Sequence, residues 1–241
     1  MVMHSKAGAV LGVVVVFVTA CGPDSDSHAQ TTAARYPNAA PIEQYRSKSR
    51  AEEIALARSA APPSISSNAD ILVLGDKGYE TAAKGTNGFV CFVERSWDAG
   101  FDDSQFWNPK IRGPNCLNAT AARTQLPQFL ERTKWVLAGA TRQELMERTR
   151  SALANHTLPL PEPGAMSYML SKQGYLNDDG HAWLPHVMFY LPRGQAATWG
   201  ADAKDSPIIG HDGSDIESTV VVVPVRRWSD GSPAQPPQSQ R

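Results

Sequence analysis

Three histidines near acidic side chains are the residues of this chain that most resemble metal ligands. They are His181, His186 and His211, and the carboxylates Asp178 and Asp179 come just before the first of them. Imidazole and carboxylate groups are ligands of zinc and other transition metals. Their spacing matches no recognised ligand pattern, and Asn-Asp-Asp-Gly-His is also an ordinary turn sequence. The three histidines are therefore a metal-site hypothesis beside a structural one, in which they belong to a turn and a strand entry.

Glu94 ends an apolar stretch and is followed by the aromatic residues Trp97, Phe101, Phe106 and Trp107. Aromatic rings close to carboxylates are typical of carbohydrate clefts. A glycoside hydrolase needs two carboxyl groups roughly 5 to 10 Å apart, and the sequence alone does not place the second one. The alternative is that these rings cover a sheet edge or fill a small core.

Composition and missing motifs exclude or disfavour several common function classes. The 241 residues carry 23 Lys and Arg against 24 Asp and Glu, a formal net charge of −1. Because binding to a phosphate backbone needs a basic surplus, we expect no nucleic-acid partner. The sequence contains no Gly-x-Ser-x-Gly elbow, phosphate loop, dinucleotide fingerprint or His-Glu-x-x-His motif, which disfavours the common hydrolases and nucleotide enzymes. We expect no cofactor.

The first twenty residues have the pattern of a signal peptide. A short polar start with Lys6 precedes the apolar run from Ala7 to Val18. This run has about a dozen residues, whereas a bilayer-spanning helix needs about 20. We therefore interpret residues 1–20 as a cleaved signal peptide and not as a permanent anchor.

Val18-Thr19-Ala20-Cys21 directly follows this apolar run and resembles the lipobox of bacterial lipoproteins. The resemblance implies lipidation of Cys21, with cleavage just before it, and a membrane partner through the N-terminal lipid. Gly22, in place of Asp, at the next position implies an outer-membrane location facing the periplasm. The alternative is an ordinary secretory signal cut near Ala20 or Ala29, with no role for Cys21.

Residues 21–40 are rich in small and polar residues and show no apolar periodicity. Such a segment cannot bury enough surface to offset its ordering entropy. We predict a disordered stalk here, one globular domain over 41–228, and a disordered tail over 229–241.

Cys91 and Cys116 remain once Cys21 is lipidated. Export places them in a compartment that permits disulfides. A bond between them closes a loop of about 25 residues, which stabilises a fold by about 3 kcal/mol in the chain-entropy model. The alternative is two buried free thiols. A cysteine nucleophile is disfavoured because no histidine is near either cysteine in sequence.

The elements of the domain predict an α+β fold, with a mostly antiparallel or mixed sheet and helices on one side. An N-terminal helix is expected between Pro41 and Pro62, and a helical hairpin over 126–154, where Thr141 and Glu144 form a capping box. β-Rich runs at 71–74, 89–93, 165–171, 187–191 and 220–223 predict strands. The last run is continuous, as in a strand buried on both faces.

Three blocks of the domain, GTNGFVCFVER, YMLS and PHVMFYLP, resemble blocks of an uncharacterised family of bacterial exported proteins. The resemblance covers about residues 45–225, and it implies a shared fold with no assigned activity. We therefore expect a non-enzymatic binding or envelope-associated lipoprotein whose protein or glycan partner the sequence does not identify. The alternative is an exported envelope enzyme, a metal-assisted or glycan-directed hydrolase.

Overall fold

The domain is built on one eight-stranded sheet, seen in a computed structural model that describes residues 35–178, 184–212 and 218–234. The strands are β1 (Asp70–Gly75), β2 (Gly78–Ala83), β3 (Val90–Glu94), β4 (Gly113–Leu117), β5 (Met166–Met169), β6 (His186–Pro192), β7 (Ile209–Asp212) and β8 (Ser218–Pro224). Their spatial order is β2-β1-β3-β4-β5-β6-β8-β7. The α+β fold predicted from the sequence is confirmed.

All neighbouring strands of this sheet are antiparallel except β1 and β3. After β2 the chain returns to the start of β1, where the Asp70 side chain accepts a hydrogen bond from the Gly85 amide at 2.6 Å. Asp70 and Ile71 then pair with Val90 and Cys91 in parallel. The sheet is therefore mostly antiparallel with one parallel pair, in agreement with the predicted mostly antiparallel or mixed sheet.

Five α-helices accompany the sheet in the described residues: α1 (Arg50–Arg58), α2 (Pro63–Ser66), α3 (Ala119–Thr124), α4 (Leu126–Leu137) and α5 (Arg142–Ala154). The predicted helical hairpin is α4 and α5. Gly139 turns the chain between them at φ 86°, a conformation that glycine adopts without strain. The predicted capping box is present, because Thr141 accepts a hydrogen bond from the Glu144 amide while the Glu144 carboxylate accepts one from the Thr141 amide.

Helices pack on both faces of the sheet, which corrects the expectation of helices on one side. Cys91 and Val93 of β3 pack with Ala57 of α1, whereas Phe92 packs with Phe129 of α4. Successive residues of a strand point to opposite faces. We call these the α1 face and the α4 face.

Cys91 and Cys116 form a disulfide bond on the α1 face. They lie directly opposite each other on β3 and β4. The expected bond is therefore present, and the free-thiol alternative is not.

The aromatic residues after Glu94 fill a core. Trp97, Phe101, Phe106 and Trp107 are buried in one cluster with Tyr45. The structure thus favours the packing alternative for these rings over a sugar-binding role.

Strand β8 is only half covered, contrary to the prediction that it is buried on both faces. Val221 is buried, whereas Val220 and Val222 are intermediate and line a cleft on the α4 face. An apolar run does not distinguish a covered strand face from a cleft wall.

The ends of the predicted domain make contacts that composition did not suggest. At the end of the predicted stalk, the Tyr36 hydroxyl donates a hydrogen bond to Asp178. In the predicted tail, the Ser229 amide bonds to the Leu170 carbonyl at 2.9 Å. Residues 1–34 and 235–241, with Cys21 among them, lie outside the described residues.

Candidate ligand-binding cleft

A cleft of about 780 Å³ opens on the α4 face of the sheet, between α4, the loop 98–104 and strands β6, β7 and β8. Its volume falls in the range of small-molecule sites, about 300 to 1,000 Å³. We call it the Glu94 cleft. Its lining residues are Glu94, Asp98, Ala99, Gly100, Asp102, Asp103, Ser104, Gln125, Gln128, Phe129, Arg132, Met188, Tyr190, His211, Asp212, Ser218, Val220 and Val222.

Strand register explains why these residues share one face. Glu94 is two residues beyond Phe92, so it points to the α4 face. Across the sheet, Tyr190 pairs with Val220, and Val220 pairs with His211. One row of side chains from three strands therefore forms one wall of the cleft.

Glu94 is a carboxyl group held largely out of water at the end of β3. Burial and, to a lesser extent, the negative charge of Asp98 raise its pKa to about 8. The Asn115 side-chain amide donates a hydrogen bond to Glu94 Oε1, which favours the ionised form without outweighing burial. Glu94 is therefore mostly protonated at neutral pH.

Asp98 is the second carboxyl group of the cleft and ends the short 3-10 helix Ser96–Asp98. Its Oδ2 accepts a hydrogen bond from the Arg95 amide at 2.8 Å. Its Oδ1 is buried and accepts no hydrogen bond from the described residues. Burial raises the pKa of Asp98 to about 6, while Arg132 opposes that rise. Asp98 is therefore mostly ionised at neutral pH.

Arg132 of α4 brings the one guanidinium among the described lining residues. Its Nη2 donates to the Ala99 carbonyl at 2.8 Å, and its guanidinium lies 4.3 Å from the centre of the Phe101 ring. A cation over an aromatic face is attracted by the ring quadrupole. Arg132 thus holds the loop that carries Asp98 and lowers the pKa of both carboxyl groups.

Tyr190 forms part of the wall through its ring, while its hydroxyl group is engaged behind it. The hydroxyl lies 3.1 Å from Ser167 Oγ and 3.5 Å from Asn115 Nδ2. Burial and the nearby Glu94 raise the tyrosine pKa, so the phenol stays neutral. Tyr190 therefore offers an aromatic surface, not a titrating group.

The mouth of the cleft is acidic. Asp102, Asp103 and Asp212 are exposed there beside His211. Asp212 Oδ1 also accepts hydrogen bonds from Thr219 and from the Gly194 amide, at 3.1 Å for the latter. The Asp212 carboxylate of β7 is thus fixed in place partly by Thr219, the residue of β8 that it pairs with.

The structure does not bring His186 and His211 together. His186 pairs with Pro224, four residues along β8 from Val220, the partner of His211. At 3.3 Å per residue their backbones are offset by roughly 13 Å along the strands, and β8 lies between them, so one zinc ion cannot bind both. His186 is buried, which lowers its pKa, and its Nδ1 lies 2.9 Å from the Leu184 carbonyl.

Among the residues that the structure describes, no group of three or more His, Cys, Asp or Glu side chains is placed to hold a metal ion. His181 lies outside the described residues, so its part in the metal-site hypothesis remains a prediction.

Sequence reasoning named Glu94 only as a candidate carboxylate and missed the residues around it. Asp98, Arg132, Asn115 and Tyr190 come from a loop, a helix and two strands, and only the tertiary fold brings them to Glu94. A usable local signal was the spacing of Glu94 and Asp98, since a strand end followed by one helical turn brings such residues to the same side.

No helix in the described parts of the chain is long and apolar enough to cross a membrane. No family model, curated protein or solved structure matches the chain.

Proposed function

We propose that this chain is a lipid-anchored protein of the bacterial cell envelope that binds a small ligand in the Glu94 cleft without transforming it. The membrane part of the proposal is supported by the lipobox-like Val18-Thr19-Ala20-Cys21 after a short apolar run. Two or three acyl chains give a stable anchor, whereas one gives only reversible binding. Gly22 after the cysteine favours the outer membrane, with the domain in the periplasm.

The binding part rests on one observation, the Glu94 cleft itself. It combines an apolar wall of Met188, Val220 and Val222 with carboxyl, amide and guanidinium side chains on the same lining. A concave apolar surface with a few convergent polar groups is the usual form of a small-molecule site. Nothing in this arrangement requires bond making, so binding is the simpler function.

Substituting Cys21 by Ser tests the anchor. We expect this variant to lose incorporation of labelled palmitate and to leave the membrane fraction. The Cys91→Ala, Cys116→Ala double variant is the matched control, because it also lacks cysteines and should keep the label. Unchanged palmitate incorporation in Cys21→Ser would contradict lipidation at this residue.

Blocking the cleft with a bulky side chain tests whether it binds a ligand. Thermal unfolding of the full chain is followed with a panel of small amines, sugars and carboxylic acids. A ligand at a hundred times its Kd stabilises a protein by about 2.7 kcal/mol. We expect a shift in the wild type and in Gln143→Trp, on the exposed surface of α5, but not in Gln128→Trp, inside the cleft. A panel that shifts none of the three, or all three equally, would contradict a binding role for the cleft.

A glycan-directed hydrolase is the second candidate, favoured by the different pKa values of Glu94 and Asp98, about 8 and about 6. Such a pair suits an acid and a base at neutral pH. Glu94 would donate its proton to the leaving oxygen while a water molecule, losing its proton to Asp98, attacks the anomeric carbon. Turnover of fluorogenic glycosides by the wild type, lost in Glu94→Gln and in Asp98→Asn, would establish this activity over simple binding.

A further inference from the structure

We propose that the ligand of the Glu94 cleft is a small protonated amine, whose ammonium group donates hydrogen bonds to Asp98 and takes the place of the proton on Glu94. This inference rests on the proposed binding function and specifies the chemical class of the ligand.

The charge of the lining favours a cation. Among the described lining residues are five carboxyl side chains, against one guanidinium and one imidazole. The guanidinium of Arg132 is directed to the Ala99 carbonyl and the Phe101 ring. Even with Glu94 neutral, the carboxylates of Asp98 and of the mouth outnumber the positive charge of Arg132. An anionic ligand would meet repulsion throughout the entrance.

Asp98, a lining residue of the cleft, has a carboxylate oxygen that calls for a hydrogen-bond donor. Asp98 Oδ1 is buried and accepts no hydrogen bond from the residues described. A buried acceptor without a partner carries a desolvation cost that a ligand N–H can remove. A quaternary ammonium ion has no N–H and cannot do so. The unpaired oxygen therefore favours a cation that carries N–H groups, such as a protonated amine, over a quaternary ammonium ion.

The walls suit the carbon chain of such an amine. The Phe129 and Tyr190 rings line the cleft together with Met188, Val220 and Val222. Aromatic faces attract ammonium groups, and aliphatic side chains accept methylene groups. A chain of several methylenes carrying an ammonium group matches both surfaces.

Proton exchange on Glu94 gives the proposal a measurable signature. The ionisable groups around Glu94 are Asp98, Arg132, Tyr79 and Tyr190, with Asp102, Asp103, Asp212 and His211 on the cleft lining. Burial and the negative charge of Asp98 hold the pKa of Glu94 at about 8. A bound cation lowers that pKa, because an opposite charge nearby favours the carboxylate. Binding between pH 6 and 8 therefore releases a proton, and affinity rises with pH across this range.

The test is titration calorimetry of the full chain with 1,5-diaminopentane at pH 6 and pH 8, in two buffers of different ionisation enthalpy. The neutral 1,5-pentanediol is the matched control ligand. We expect the diamine to bind more tightly at pH 8 and to release close to one proton per site near pH 7. The diol should bind about tenfold to a hundredfold more weakly, since hydrogen bonds to charged groups are worth that much.

Variants identify the groups responsible. Glu94→Gln should abolish the proton release, and Asp98→Asn should weaken diamine binding about tenfold to a hundredfold. Asp102→Asn, at the exposed mouth, should weaken it only about two- to fivefold, as expected of a solvated charge. Glu147→Gln and Asp76→Asn are matched surface controls that should bind like the wild type. Asp102→Asn keeps the test valid if Glu94→Gln or Asp98→Asn fails to fold.

Three results would overturn the proposal: no diamine binding, equal binding of diamine and diol, or unchanged proton release in Glu94→Gln. A neutral or anionic ligand that stabilises the wild type but not Gln128→Trp would support the binding function and contradict the amine as its ligand. If no ligand of the thermal-unfolding panel stabilises the wild type, both the binding function and the amine ligand are contradicted.

Discussion

Glu94 and Arg95 are consecutive residues with ionisable side chains, and the sheet sends them to opposite faces. Arg95 points to the α1 face, where its guanidinium pairs with Glu53 at 2.8 Å and donates to the Tyr45 carbonyl at 2.7 Å and to the Val93 carbonyl. Glu94 points to the α4 face, where the Asn115 amide is its hydrogen-bond partner and a cleft lies in front of it.

The two environments are built for different ends. Glu53 Oε1 also accepts a hydrogen bond from the Leu74 amide at 2.9 Å, and no buried side-chain oxygen or nitrogen of Glu53 or Arg95 lacks a hydrogen-bond partner among the described residues. On the α4 face, the carboxyl groups of Glu94 and Asp98 crowd each other, and Asp98 Oδ1 is unsatisfied by the described residues. Satisfied buried charges hold a fold together, whereas under-satisfied ones beside a cavity mark a site for a ligand.

Glu53→Gln tests the role assigned to the α1 face and should have a large effect on the free energy of unfolding. It leaves Arg95 buried without its carboxylate partner and near Arg112, whose pKa is lowered to about 10 by burial and, to a lesser extent, by the charge of Arg95. Removing one partner of a buried ion pair costs about 3 to 5 kcal/mol. We expect a loss of that size in the free energy of unfolding, measured with urea at pH 7. The exposed Glu43→Gln is the control, and an equally small loss in both would show that the α1 face is not held by this pair.

The disulfide sharpens the contrast, because it lies on the same α1 face. Its two cysteines are 25 residues apart. Replacing both by Ala should cost about 3 kcal/mol, since the unfolded chain regains the entropy of that loop. The measurement is urea unfolding of the oxidised wild type against the double variant. The check is thiol titration of a chain that begins after Cys21, exported to the envelope and then denatured without reduction. Two titratable thiols in that protein would contradict the bond.

An effect of opposite sign is expected from Glu94→Gln. The folded protein keeps the Glu94 proton up to about pH 8, whereas the unfolded chain releases it near the ordinary value of 4.5. The folded state thus binds more protons over this range, so the free energy of unfolding falls as pH rises from about 5 to 8.

The Gln side chain stays neutral and keeps an oxygen for the Asn115 amide. We expect Glu94→Gln to match the wild type near pH 4 and to exceed it by up to about 4 to 5 kcal/mol at pH 8.5, because folding raises the pKa of the wild-type carboxyl from 4.5 to about 8. Thermal or urea unfolding at both pH values measures this, with Glu147→Gln as control. A variant less stable than the wild type at pH 8.5 would place Glu94 among the residues that hold the fold.

Local signals in the sequence predicted the strands with β-branched and aromatic residues and the capped helix α5. They did not predict β4, whose sequence Gly-Pro-Asn-Cys-Leu contains residues that strands disfavour. β4 forms nevertheless, because Cys91 and Phe92 pair with its Cys116 and Asn115. That register also brings Asn115 to Glu94, so the missed strand and the missed site partner have the same cause, pairing between segments distant in sequence.

The strand order has a consequence for how parts of the sheet open. Five of the seven neighbouring pairs join strands that are consecutive in the chain, and the two exceptions are β1–β3 and β6–β8. At each edge, therefore, the outer strand pairs antiparallel with the strand next to it in the chain, β2 with β1 and β7 with β8. Either outer strand can detach without disturbing the pairing at the centre. Amide hydrogens of β2 and β7 should thus exchange with solvent through local opening, while those of β3 and β4 wait for global unfolding.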